Sequence, residues 1–227
     1  MKREILGVKI DNLIIEEALQ KVEGFLEDSQ QHYIVTPNPE FLVKAQKDEE
    51  FRKILNQADL AVADGIGLIF ASWFLGQPLK QKITGTDLME KICQKAAQKK
   101  WPVFLLGDRE DDLVKETADQ LKKRYPELDI KTNLKETSIL FVAFGAPKQE
   151  KWIAQNLKKM SSVKLAMGVG GAFNFMAGRI RRAPKFFQRL GLEWLWRLFC
   201  QPWRIKRIFR AVVIFPWLII KNGLIKH

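Results

Sequence analysis

The chain has 227 residues, 47% of them hydrophobic, and a formal net charge of +12, enough to bury one sizeable core and carry an appendage. Its two cysteines, Cys93 and Cys200, lie far apart with no CxxC and no nearby His pair, which argues against a disulfide framework or a zinc site and fits a reducing cytoplasm. Residues 1–10 lack the apolar region of a signal peptide and no run of about 18 apolar residues occurs, so neither secretion nor membrane spanning is expected.

Taken in chain order, five apolar runs have the length and the β-branched or aromatic content of buried strands: 32–38 (HYIVTPN), 59–65 (DLAVADG), 101–108 (WPVFLLGD), 138–147 (SILFVAFGAP) and 163–171 (VKLAMGVGG). None alternates cleanly between polar and apolar residues, as expected of parallel strands covered on both faces. Between most of them, apolar residues recurring at three and four predict helices over 12–28, 39–56, 87–99, 111–125 and 147–160. Asp11 or Asn12 is a candidate cap for the first helix, and Asp87 with Glu90 resembles a capping box after Gly85. The alternation of strand and helix predicts an α/β fold with a Rossmann-like, mostly parallel sheet flanked by helices. One stretch breaks the pattern: between a short strand at 128–133 (LDIKTN) and Ile139 only Leu134 to Ser138 intervene, whereas a parallel crossover needs about a dozen residues. Either LDIKTN pairs antiparallel at an edge or a longer connection is absent.

After Gly178 the composition changes. From Arg179 onward there are twelve Lys or Arg against one acid, Glu193, together with four of the seven Trp, while the first 178 residues are close to neutral. The expected division is an α/β core over residues 1–190 and a helical, basic and aromatic C-terminal appendage over 191–227. Within it, residues 211–220 (AVVIFPWLII) are apolar but interrupted by Pro216 and too short to span. Basic side chains beside Trp and Phe describe an interfacial helix on an anionic membrane. The plainer alternative is a dimer contact, which eleven net positive charges per tail would oppose.

In an open parallel sheet ligands collect at the carboxyl ends of the strands, and here those ends carry small and polar residues: Thr36 and Asn38, then Asp64, Gly65 and Gly67, then Gly107 and Asp108, then Gly145 to Glu150, then Gly168 to Gly171. Asp64, followed by glycine, is placed either as a general base or as a helix cap. The backbone of Gly168, Gly170 and Gly171 offers N–H groups to a diphosphate, although GVGGAF is not a full GxGxxG. Lys148, Gln149 and Glu150 are either contacts to phosphate, base or sugar or the polar first turn of a helix after Pro147. No DxD is present, the nearest acidic run being DREDD at 108–112, so a metal-dependent nucleotide site is disfavoured.

With these residues in view, the sequence resembles the WecG/TagA/CpsF glycosyltransferases, bacterial enzymes of teichoic acid, enterobacterial antigen and capsule synthesis. The resemblance rests on TPNPE (36–40), ADG (63–65), ITGTDLM (83–89), FLLG (104–107), GAPKQEKWI (145–153), GVGGAF (168–173), RRAP (181–184), GLEWLWRL (191–198) and PWRIKR (202–207), and covers nearly the whole chain. It implies an inverting transfer of N-acetylmannosamine, or a related sugar, from a UDP-sugar to GlcNAc on undecaprenyl diphosphate. It implies no metal and no cofactor, and a peripheral place on the inner face of the cell membrane. Mapped onto this chain, Asp64 resembles the catalytic base, with Thr36 and Asn38 positioning it or the acceptor. Gln149, Lys148, Gly145 and the glycines of 168–171 resemble donor contacts, and Arg197, Arg204 and Arg207 resemble tail arginines that close over the site and bind diphosphate. Lys82 stands where the family often has Arg and Asn174 where it often has Asp, departures that bear most on donor identity; other UDP-sugars, carrying glucose or N-acetylmannosaminuronate, are the alternative donors. The family usually has a helix before the position of Ile139, which points to absent residues there.

Three other classes fit less well. A nucleic-acid-binding module would spread its basic and aromatic contacts over a folded surface, whereas the body is nearly neutral, so no nucleic acid is expected as a partner. A dehydrogenase predicts GxGxxG after the first strand, where TPNPE stands instead. A membrane scaffold without chemistry has no need for five polar strand ends. Dimerisation through the region that the tail covers stays open.

Overall fold

The structure is a computed structural model that describes residues 1–108, 111–184, 186–187 and 190–225. Arg109 and Glu110 of the acidic run, and Lys185, Arg189 and Lys226 of the basic segment, lie outside the described residues.

An antiparallel hairpin of β1 (Lys2–Ile5) and β2 (Val8–Asp11), which the sequence reading did not anticipate, precedes α1 (Ile15–Glu27). All five expected strands form one parallel sheet: β3 (His32–Val35), β4 (Leu60–Ala61), β5 (Val103–Gly107), β6 (Ile139–Ala143) and β7 (Leu165–Gly168), in the order β4-β3-β7-β6-β5. Both faces are covered, which is why the strands read as unbroken apolar runs. In β6, Ile139 and Phe141 enter one buried cluster while Leu140 and Val142 enter another on the opposite face. Likewise Ile34 and Val35 of β3 point to different clusters.

The helices fall where periodicity placed them, with corrections at their ends. The expected helix over 39–56 is two, α2 (Pro39–Ala45) and α3 (Glu49–Gln57), because Asp48 turns to cap the second by accepting from the N–H of Phe51. Neither Asp11 nor Asn12 caps α1. Asp11 is buried in β2 and accepts from the N–H of Ala61, and the N–H of Ile14 is taken by Glu17. In α5 (Gly85–Lys99) the cap is Thr84, which accepts from the N–H of Asp87. Then follow α6 (Asp111–Arg124) and α7 (Lys148–Asn156); the short α8 (Ala172–Met176), for which no helical period was read, opens on the GVGGAF loop.

The 128–133 stretch is neither an antiparallel strand nor a full parallel one. Ile130 makes a single parallel bridge with Val103, and the chain then passes under the start of β5 through a 3-10 turn (Leu134–Glu136) to enter β6, with Ser138 and Ile139 donating to Pro102. Because the bridge lies at the amino edge of the sheet, no return crossover is required.

One helix escaped the sequence reading: α4 (Ile66–Phe74, IGLIFASWF) has no polar face to give it a period. The C-terminal segment contributes α9 (Glu193–Cys200) and α10 (Ile205–Phe209), which runs through a π-helical turn (Arg210–Ile214) into α11 (Phe215–Ile225). The wide turn precedes Pro216, whose missing N–H and bulky ring break the ordinary ladder. Phe215 and Ile219 are buried in the same cluster as Val35, Phe41, Leu68 and Ala71, so the segment is anchored into the core. No helix among the described residues is long and apolar enough to cross a membrane.

Candidate active site

A cavity of about 370 Å³ lies beyond the carboxyl ends of β3 and β4, roofed by the C-terminal segment. Its polar lining brings together Asn38, Asp64, Lys82, Arg197, Arg204 and Arg207, residues from five separate stretches of sequence.

Asp64 is fixed by backbone on both sides. Its own N–H donates to Pro37 O at 2.8 Å, and the N–H of Gly85 reaches its Oδ2 at 3.4 Å. It does not cap α4, whose cap position is Gly65 at a φ of +104°, a conformation that a residue with a Cβ resists. Burial pushes the Asp64 carboxyl up to about 6, against the opposing pull of Arg197, the Gly85 N–H and Lys82. A carboxylate tuned towards neutrality, at the floor of a cavity and free of any capping duty, is equipped to accept a proton.

Thr36 is buried behind this floor and packs on the backbone of α5: a Cβ on Gly85 would lie 3.2 Å from its Oγ1. Asn38 does line the cavity, but its Oδ1 accepts from the N–H of Phe41 and so caps α2. Both residues therefore hold the strand end on which Asp64 depends.

The glycine loops form an adjoining cluster rather than part of the cavity wall. Gln149 is buried, and its Oε1 accepts from the N–H groups of both Gly145 and Gly170, at 3.0 and 2.9 Å, while its Nε2 donates to Glu150 at 2.7 Å. Burial pushes Glu150 up to about 7. A Cβ on Gly168 would sit 2.7 Å from Gln149 Nε2, so a side chain there would displace this hydrogen-bonded amide. This amide thus sutures the β6 and β7 ends together. Lys148, by contrast, is exposed in the first turn of α7 and ion-paired with Asp108. Gly171 connects the cluster to the cavity: Arg204 Nη2 lies 3.4 Å from where its Cβ would be.

The three arginines are held differently. Arg197 lies over the ring of Phe175 at 4.8 Å. Arg207 donates through Nε to the buried Glu40 at 2.7 Å; the other oxygen of Glu40 is 3.1 Å from Lys44 and 3.6 Å from Arg210 without a hydrogen bond to either. Burial raises the Glu40 carboxyl, but Arg207 and Lys44 outweigh it and hold it below the usual range. Arg204 has no carboxylate within ion-pair distance among the described residues. Burial, with Arg207 and Arg197 beside it, lowers its guanidinium to about 10. A cation that is desolvated, crowded by like charge and unpaired is relieved by an anionic ligand.

Two more ion pairs join roof to floor: Lys82 with Glu193 at 2.9 Å, and Arg182 bidentate with Asp87 at 2.6 and 2.8 Å. Glu40, Asp87, Arg182 and Glu193 were not singled out as site residues, although Glu193 was conspicuous as the lone acid of a basic segment. The rest of the lining adds Thr84 and Thr86 and an apolar set that includes Ile66, Phe70, Trp194, Val212 and Pro216, of which Phe70, Val212 and Pro216 are exposed. The cavity therefore has a charged inner half and a greasy mouth.

The sequence model of the glycosyl transferase WecG/TagA/CpsF family matches residues 3–136 and 131–227, two segments that meet at the short connection before β6. A Staphylococcus aureus protein (strain NCTC 8325 / PS 47) named N-acetylglucosaminyldiphosphoundecaprenol N-acetyl-beta-D-mannosaminyltransferase is 33% identical over 238 aligned positions, covering 97% of this chain and 92% of its own. Its counterpart in strain MRSA252, of the same name, is 34% identical over 239 positions with the same coverage. Both alignments are longer than the 227 residues here, so the relatives carry residues with no counterpart in this chain.

Proposed function

The chain belongs to the WecG/TagA/CpsF family of glycosyltransferases, and from that premise we propose that it transfers N-acetylmannosamine from UDP to GlcNAc-diphosphoundecaprenol, working against an anionic membrane in the synthesis of a cell-wall polymer such as teichoic acid. The observation that carries this reading is the pairing, in one cavity, of a carboxylate that burial raises to about 6 with a half-buried arginine that has no carboxylate partner among the described residues.

In the proposed step the ionised Asp64 takes the proton of an acceptor hydroxyl as that oxygen bonds to the anomeric carbon. The bond from that carbon to UDP breaks on the opposite face, its electron pair leaves with the diphosphate, and the configuration inverts. The negative charge that develops on UDP falls to Arg204, aided by Arg197 and Arg207, whose forks match phosphate oxygens. These cations do the work for which other transferases use a metal ion, so the reaction is proposed to need none. The N–H groups of Val169 and Gly170 are taken by Val142 and Gln149, so of this loop it is Gly171, beside Arg204, that is proposed to meet the diphosphate, and Gln149 acts by keeping the loop against Gly145. Lys82, which lines the cavity and pairs with Glu193, is proposed to assist the sugar end of the donor.

The test is UDP release from UDP-N-acetylmannosamine with a lipid-diphosphate GlcNAc analogue in EDTA. EDTA-resistant turnover, reduced but not abolished in a chain cut after Gly191, is the expected result. Turnover only with another UDP-sugar corrects the donor, and silence with every UDP-sugar overturns the transferase reading.

A further inference from the structure

Helix α4 is the one element of the core whose composition the fold does not explain. Its nine residues include no charge, yet only part of it is used internally: Leu68 and Ala71 pack with Phe215 and Ile219 of α11, and Gly67 lies against Pro39. Phe70, Trp73 and Phe74, spaced so that they share one stripe, are 66%, 68% and 61% exposed. Three adjacent aromatics facing water on a core helix cost solubility and contribute nothing to the interior.

The stripe does not stand alone. Val213, Trp217 and Ile220 on the last helical stretch, also on one face, are 49%, 58% and 50% exposed. The two ridges adjoin, since the ring edge of Phe74 lies against the backbone of Gly223 and Phe70 shares the cavity mouth with Val212 and Pro216. Lys221 lies 5.2 Å over the ring of Trp217, the arrangement of an aromatic at headgroup depth with a cation reaching to phosphate.

We propose that α4 is a second membrane-inserting element, supplied by the core, and that its Phe70–Trp73–Phe74 stripe enters the headgroup and acyl boundary of an anionic bilayer beside Trp217 and Ile220. The proposal rests on the reading of a lipid-linked acceptor and deepens it: the catalytic core itself, and not only the appendage, is seated in the lipid. The apolar mouth of the cavity then opens sideways into the layer where a polyprenyl chain lies, so the acceptor reaches Asp64 without leaving the membrane. A bilayer is favoured over a second copy of this chain by charge. The segment that carries the second ridge holds Arg204, Lys206, Arg207, Arg210 and Lys221 and no acid beyond Glu193, and Glu40 of the core is the carboxylate that meets Arg207 and Arg210; two such basic segments repel, whereas headgroup phosphates complement them.

The experiment uses the full chain and vesicles of phosphatidylglycerol with phosphatidylcholine. Trp73→Ser/Phe74→Ser, both outside the cavity, is expected to lower vesicle partitioning by roughly tenfold or more while UDP release with a water-soluble acceptor and the melting temperature stay at wild-type values. In the conservative Trp73→Phe chain, quenching of tryptophan fluorescence by brominated lipid is expected to drop. Wild-type partitioning by the double variant, unchanged quenching, or a wild-type dimer in sedimentation that these changes convert to monomer would overturn the proposal. Vesicle binding is read without turnover, so an inserted but inactive protein sinks the transferase reading and leaves this inference standing.

Discussion

The floor and the roof of the cavity are built on different terms. The floor is set by backbone: Asp64 is tied through Pro37 and Gly85, Asn38 caps α2, and Gln149 joins two glycine loops. The roof is attached, among the described residues, by the ion pairs Arg207–Glu40, Arg210–Glu40, Lys82–Glu193 and Arg182–Asp87, and by the Phe215 and Ile219 plug. A floor made of strand ends holds one geometry to fractions of an ångström. A roof held by side-chain ion pairs over a buried apolar plug depends instead on single charges, each of which one substitution removes. Under the proposed function, bond-making falls to the floor, and charge neutralisation and retention of substrate fall to the roof.

The sharpest test of that division is Asp64→Asn. It removes the proton acceptor without altering the shape of the floor, and a loss of about 10³-fold in kcat, with KM little changed, is expected from the scale of general-base catalysis. In the wild type kcat should rise with pH through about 6, the value to which burial brings this carboxyl, and level off above 7. An Asp64→Asn chain that keeps more than a tenth of the activity would move the base elsewhere.

On the roof, Arg204→Gln should cost about 10²-fold in kcat/KM, the scale of losing one charge stabiliser. Arg204→Lys should recover part of it, because the charge is kept and the fork is lost. Equal effects of both substitutions would mean that the bidentate geometry, rather than the charge alone, is what the diphosphate uses.

Glu40→Gln acts one contact further out. It removes the carboxylate that holds Arg207 and leaves a neutral residue of the same size, so the roof should loosen. KM is expected to rise by about tenfold with kcat nearly constant, and protease cleavage near residue 200 should quicken. A fall in kcat instead would place Glu40 on the floor's side of the division.

How much of this was legible before any coordinates follows the same line. The five strands, the parallel sheet and the polar strand ends were readable because a strand buried on both faces has an unmistakable run of Val, Ile, Leu and Phe, and because ligands gather where strands end. The roof was legible as composition, basic and aromatic, but its contacts were not. Glu40 and Asp87 stand 167 and 95 residues from their arginine partners, and nothing local marks a carboxylate as one half of a long-range pair. Helix α4 was invisible for a further reason. Periodicity reports a helix only when one face meets water, and in IGLIFASWF the core takes one face while the other is apolar too. The Asp87 capping box failed on a smaller scale, since Thr84 one turn earlier was an equally good cap and Arg182 claimed the aspartate.

The smallest expected effect separates the chemistry of the floor from its stability. The Asp64 carboxyl titrates near 6 in the folded chain and near its ordinary, lower value when unfolded, so the folded state holds the proton more tightly. Folding is therefore favoured by this group below the ordinary carboxylate range, and that contribution is lost as pH climbs to about 6 and stays lost above it. Asp64→Asn removes the ionised group and should stabilise the protein at pH 8 by on the order of 1–2 kcal/mol, at about 2–4 °C in melting temperature per kcal/mol. Below about pH 4 the two proteins should melt together. Melting curves at both pH values read this directly. An Asn variant less stable than wild type at pH 8 would show that the carboxylate is held by Arg197 and Lys82 as a structural partner, and would move Asp64 from a strained catalytic group to a brace between floor and roof.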